Sequence, residues 1–169
     1  PYRVQRLVAY VDPWSDPYAN GYQLVQSLIA FGRGEWFGVG LGNSIQKLFY
    51  LPEAHTDFVF AIWAEELGAS GALLVMLIYA GLVARIIRIG WQSGQVGNFF
   101  GAHFCNGFAI LIFGQAVINI GVTMGLLPTK GMTLPLISWG GTSLLVTVVM
   151  LSIVLRIEQD IKFKRESID

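Results

Sequence analysis

The sequence predicts an all-α polytopic membrane protein: three transmembrane helices preceded by a large extracytoplasmic loop that carries a short interfacial helix. Three observations lead there. The 169 residues are 54% hydrophobic and only 13% charged, against about 25% charged in an ordinary soluble domain. Three stretches, 58–84, 98–127 and 134–155, reach the roughly 20 predominantly apolar residues that a bilayer crossing needs. Basic residues then mark one end of each stretch, which orients it.

Residues 1–54 form the expected extracytoplasmic loop. They are of mixed polarity, rich in Gly, Trp and Tyr, and contain no spanning segment. Within them Leu24, Leu28 and Phe31 repeat at i, i+4, i+7, the pattern of a short helix lying at the interface. Residues 55–169 hold the transmembrane helices, at about 56–85, 98–127 and 134–156, and a cytoplasmic tail. "RIIRIGWQSGQVGN" separates the first two spans and "PTKGMT" the last two. Arg85 and Arg88 follow the first span, and Arg156, Lys162, Lys164 and Arg165 the third, so both ends are expected to be cytoplasmic. The N-terminal segment and the "PTKGMT" loop then share the outer side. Arg3, Arg6, Arg33 and Lys47 on that side run against the rule.

Composition also excludes. A formal net charge of zero argues against nucleic-acid binding by phosphate neutralisation. Cys105 is the single cysteine, so no disulfide forms within the chain. His55 and His103 lack helical spacing to each other or to a third ligand, so no protein-only metal site is expected. The chain opens at Pro1 without a start methionine, as a piece of a longer protein would.

The stretch "YLPEAHTDFVFAIWAEELG", residues 50–68, places four acids at or near a membrane helix. With Pro52 as first helical residue, Glu53 and Asp57 fall four apart on one face. Their repulsion and partial burial both raise a carboxyl pKa, which makes a better base near neutral pH. The plain alternative, that both acids merely favour the positive helix N-terminus, stays open. Below Asp57 the same face is small, with Ala61, Ala64, Gly68 and Gly71, so it either packs closely on a helix or leaves room for a ligand. Glu65 and Glu66 lie roughly 12–14 Å further along at 1.5 Å per residue. Structural pairing with a basic residue from elsewhere is the expectation for both.

Gln115, Asn119 and Thr123 form a polar stripe at the outer end of the second span, and Ser138 and Thr142 repeat it in the third. Interhelical hydrogen bonding accounts for such residues without a substrate. Lys130 is the one charge in its loop and reads either as a snorkelling anchor or as a phosphate partner. The glycine run "GRGEWFGVGLGNS", 32–44, lacks the spacing and context of a nucleotide loop. It reads as backbone that turns tightly or approaches a ligand closely.

"GYQLVQSLIAFGRGEWFGVGLGNSIQKL", "YLPEAHTDFVFAIWAEELG" and "GLLPTKGMTLPLISWGGTSLL" resemble, in matching order over about residues 18–156, the C-terminal part of the SEDS family. This is the group of FtsW and RodA, and "LPTKG" favours its FtsW branch. Two departures are visible: Phe49 stands where some relatives carry an acid, and Trp139 replaces the more usual tyrosine. The resemblance implies that the chain is a fragment of a bundle of about ten helices. It further implies a peptidoglycan glycosyltransferase that polymerises lipid II at the division septum, in the cytoplasmic (inner) membrane.

On that resemblance Asp57 is the catalytic base, and the outer face supplies substrate-binding candidates in Lys130, Glu53, His55, Arg33, Lys47 and Ser138. A divalent cation, magnesium or manganese, is allowed at the pyrophosphate, and no organic cofactor is expected. The implied partners are lipid II, a class B penicillin-binding protein transpeptidase, other division proteins and the membrane, with no nucleic acid. A lipid II flippase is the alternative function, kept open by Glu65 and Glu66. A scaffold that only recruits a transpeptidase is a third, though it would need no carboxylate and lysine on one face.

Overall fold

The computed structural model describes residues 13–14, 21–44, 46, 56–128 and 131–166, and within them four helices: α1 Tyr22–Gly34, α2 Val59–Gln95, α3 Phe99–Thr123 and α4 Gly141–Glu166. No strand occurs among the described residues. α2, α3 and α4 are each long and apolar enough to cross a membrane. α1, with 13 residues, is roughly 20 Å long at 1.5 Å per residue and too short to span.

Two of the turns have a legible cause. α2 ends where Gly97 takes φ 76°, with Gly97 N–H donating to Gly94 O (3.1 Å) and Asn98 N–H to Ser93 O (3.0 Å). α3 ends the same way at Gly125, φ 73°, with bonds from Gly125 N–H to Val122 O (3.1 Å) and Leu126 N–H to Gly121 O (2.7 Å). Both are left-handed glycine caps that satisfy the last free carbonyls. Asn98 then starts α3 by accepting from Gly101 N–H at 3.0 Å, an ordinary N-cap.

α2 and α3 share the core, through Val75, Tyr79, Ile86 and Ile89 on one side and Cys105, Phe108, Ile112 and Ala116 on the other. They approach closely at Gly90, where an added Cβ would lie 3.0 Å from Cys105 Cβ. Without a hydrophobic drive between helices in lipid, such small-residue seams carry association. α4 joins through Val154, Ile157 and Ile161 near its C-terminal end, with Arg85 bonded to Glu158 at 2.5 Å. Towards its N-terminal end α4 separates from α3, leaving a cleft of about 360 Å³ lined by Phe108, Gln115, Ser143 and Met150 among others.

α1 does not lie apart from the bundle. Leu24, Val25, Ser27, Ala30 and Gly34 are buried, Phe31 meets Phe60 at 5.9 Å between ring centroids, and Ser27 Oγ donates to Thr123 O at 2.7 Å. The buried face is therefore rotated from the Leu24–Leu28–Phe31 stripe towards small residues. The reason is the close contact at its end, where a Cβ on Gly34 would sit 1.9 Å from Ala64 O.

α2 is broken at Gly68, whose φ 71° and ψ −168° are non-helical. The carbonyls that the break frees are taken by the glycine run: Val39 N–H donates to Glu65 O (3.0 Å) and Gly40 N–H to Glu66 O (3.1 Å). In return Ala69 N–H donates to Glu35 O (2.8 Å) and Ser70 N–H to Trp36 O (3.2 Å). Segment 34–40 is thus knitted into the helix backbone, and the close approach of the glycine run is to α2. From Gly68 to Arg88 the helix rises about 30 Å, the thickness of a hydrocarbon core. Glu65 and Glu66 accordingly need not lie at bilayer depth.

The third span, expected from residue 134, opens instead with an irregular segment, and α4 begins at Gly141. Residues 131–140 turn back into the bundle: Leu134 and Pro135 are fully buried, and Tyr79 Oη donates to Pro135 O. Pro135 cannot donate to a helical ladder, and Leu136 at φ 67° is incompatible with one.

Candidate functional site

Asp57 stands just ahead of α2. The expected stacking of Glu53 on Asp57 lies outside the described residues. Thr56 and Asp57 form a turn, and α2 starts at Val59, so the first span does not begin as helix at Asp57. The physical reason is in the bonding. Ala61 N–H donates to Phe58 O (3.0 Å), while Asp57 O accepts from Asn119 Nδ2 at 2.9 Å rather than from a helical N–H.

The same Asn119 nitrogen donates to Met132 O at 2.6 Å, so one buried amide from α3 joins the Asp57 turn to the start of segment 131–140. Gly131 lies against the acid itself: a Cβ there would be 2.9 Å from Asp57 Oδ2 and 3.8 Å from its Cγ. Three elements meet at one half-buried carboxylate, at the end of α2 opposite Arg85 and Arg88. Thr123 bonds within its own helix, to Asn119 O (3.1 Å) and Ile120 O (2.9 Å), while Gln115 faces the α3–α4 cleft. The polar stripe therefore divides among three tasks.

Ser138 is buried, and its Oγ accepts from Leu134 N–H at 2.8 Å while Ser138 N–H donates to Leu134 O at 3.0 Å. It closes the turn of the re-entrant segment, and its hydroxyl hydrogen is left to donate elsewhere. Arg33, at the end of α1, pairs with Glu65 at 3.6 Å, its side chain 40% exposed against a fully buried carboxylate. Ser44 Oγ donates to the other Glu65 oxygen at 2.5 Å. The expected structural pairing thus exists for Glu65. Glu66 meets no basic side chain among the described residues. The small face under Asp57 is met by protein at Ala64, against Gly34, and at Gly68, against Gly38. Glu53, His55, Lys47 and Lys130 lie outside the described residues. Among the described residues no group of three His, Cys, Asp or Glu side chains gathers as metal ligands.

Sequence reasoning did not connect Asn119 and Gly131 to Asp57. Asn119 was visible as a member of the stripe, and Gly131 as the residue after Lys130. Neither pattern tells which carbonyl an amide will meet.

A family model described as cell cycle protein, that of FtsW, RodA and SpoVE, matches residues 1–162. The chain is 56% identical over 165 residues to the probable peptidoglycan glycosyltransferase FtsW of Nitrosococcus halophilus, covering 98% of this chain and 43% of that one. It is 58% identical over 158 residues to the protein of the same description from Halomonas elongata, covering 94% and 40%. Among solved structures it matches a chain of a peptidoglycan synthase complex that coordinates polymerization and crosslinking, with TM-score 0.69, 35% identity and coverage of 95% and 42%. It also matches the rod shape determining protein RodA of Thermus thermophilus, with TM-score 0.58, 38% identity and coverage of 64% and 35%. The chain spans about two fifths of the length of the curated relatives it matches.

Proposed function

This chain belongs to the cell cycle protein family of FtsW, RodA and SpoVE, and on that premise we propose that the whole protein is a peptidoglycan glycosyltransferase that polymerises lipid II. The observation that carries the reading is the meeting of Asp57 with segment 131–132 through Asn119, at the end of α2 away from Arg85 and Arg88. Asp57 takes the proton from the sugar 4-hydroxyl of the acceptor. That oxygen attacks the anomeric carbon of the donor with inversion, and the lipid-linked pyrophosphate leaves.

Lys130, the residue before Gly131, stabilises the charge that develops on the pyrophosphate. Glu53, His55, Lys47, Arg33 and Ser138 are the further substrate contacts of this reading, Arg33 while paired with Glu65. A divalent cation, magnesium or manganese, would be held mainly by the pyrophosphate oxygens, with the Asp57 carboxylate as a candidate protein ligand, and would add charge neutralisation. The three spans make this a multi-pass membrane protein. The cytoplasmic membrane at the division septum is its proposed place, and a class B penicillin-binding protein its proposed partner. A flippase loses its main support, because Glu65 is taken up by Arg33 and Ser44 and Glu66 lies beside it on the Asp57 side of the break at Gly68.

The test is polymerisation of labelled lipid II by the full-length protein with its transpeptidase. A positioned base is worth about 10²–10⁴ in rate, so Asp57→Asn should lose at least about 10²-fold. Normal glycan synthesis by that variant sinks the assignment.

A further inference from the structure

We propose that Asn119 is a positioning residue that sets the distance between Asp57 and the segment following Lys130, so that base and loop are held as one unit. The inference deepens the glycosyltransferase reading and rests on it for its kinetic arm only. Asn119 is 2% exposed, and its one amide nitrogen donates to Asp57 O at 2.9 Å and to Met132 O at 2.6 Å. Two hydrogens on a single nitrogen keep those carbonyl oxygens within two hydrogen-bond lengths of each other. Both acceptors are main-chain atoms, so the amide fixes where the backbone of each segment runs, whatever the side chains do.

The orientation of the amide follows from its surroundings. Turned over, its oxygen would face two carbonyl oxygens and lose both bonds. Asn119 is itself anchored. Thr123 Oγ1 donates to its carbonyl at 3.1 Å, and Ser27 on α1 donates to Thr123 O at 2.7 Å. A path of bonds therefore runs from α1 through the last turn of α3 to the acid. Asp57 O is left out of the α2 ladder, so this path takes the place of helical bonding at the turn that presents the carboxylate.

The experiment has two arms, both on the full-length protein. In membranes, a D57C/G131C pair in a C105S background reports the spacing directly. A Cβ on Gly131 lies 3.8 Å from Asp57 Cγ, the atom whose place the D57C sulfur takes, so a small side-chain rotation brings the two thiols together. Oxidation should then link the pair, and adding N119L should slow the linkage at least about fivefold. With the transpeptidase partner and labelled lipid II, N119L should lower kcat at least about tenfold while KM stays within about threefold. N119D, which keeps the size but turns two donors into acceptors, should behave alike in both arms and serves if N119L does not accumulate. Unchanged cross-linking, or an unchanged kcat in a folded variant, overturns the proposal. If D57N itself polymerises normally, the catalytic reading has failed and the cross-linking arm alone decides the role of Asn119.

Discussion

Gly38 and Gly68 stand backbone to backbone at the break in α2. A Cβ on Gly68 would lie 2.5 Å from Gly38 N, and one on Gly38 would lie 2.1 Å from Glu66 O. Both have positive φ, 77° and 71°, so each is glycine for two independent reasons. Alanine at either place costs about 1–3 kcal/mol for the positive-φ backbone alone and must also push the facing backbones apart. Gly68→Ala and Gly38→Ala should each lower the melting temperature of the detergent-solubilised protein by several degrees. Gly42→Ala, also at positive φ (82°) but with open space around it, should cost only the conformational share.

Ion pairs at the two ends of α2 should differ in worth. Glu65 is fully buried and serves Arg33 and Ser44. Glu65→Ala should destabilise by about 1–3 kcal/mol, because it strands the hydroxyl and empties a buried site. Arg85 is half exposed in its pair with Glu158, and Arg85→Ala should cost at most about 1 kcal/mol and respond more to salt. Thermal melts of the two variants at low and high ionic strength make the comparison.

Gly131→Ala tests how tightly the acid is seated. The added methyl would meet Asp57 Oδ2 at 2.9 Å, and the far end of that side chain is what must yield. A displacement near 1 Å can cost about 10²-fold in rate. We expect lipid II polymerisation to fall between about 10- and 100-fold, with the amount of folded protein unchanged.

The re-entrant segment is held by two side-chain bonds, Tyr79 Oη to Pro135 O and Leu134 N–H to Ser138 Oγ. Tyr79→Phe and Ser138→Ala should each cost about 1 kcal/mol. Loosening should show as faster proteolysis within residues 131–140, or faster thiol labelling of a cysteine introduced there in a C105S background, with α2 and α3 still protected.

Membrane class, the three apolar helices and the ends of the first two were determined by the sequence itself. Apolar length, Gly97, Gly125 and the basic flanks act locally, and no neighbour can overrule them at small cost. The lining of the helix breaks belonged to tertiary structure. Nothing local in "GRGEWFGVG" says that its amides will replace those of α2, and nothing in "AEELG" says that the helix opens there to receive them. Asp57 could be picked out as an acid at a helix start. That the helix starts two residues later, with its carbonyl given to Asn119, depended on a residue 62 positions along the chain that is itself held to Met132. Hydrogen-bond partners are settled by which carbonyls are left over once the helices have packed, and that remainder exists only in the folded chain.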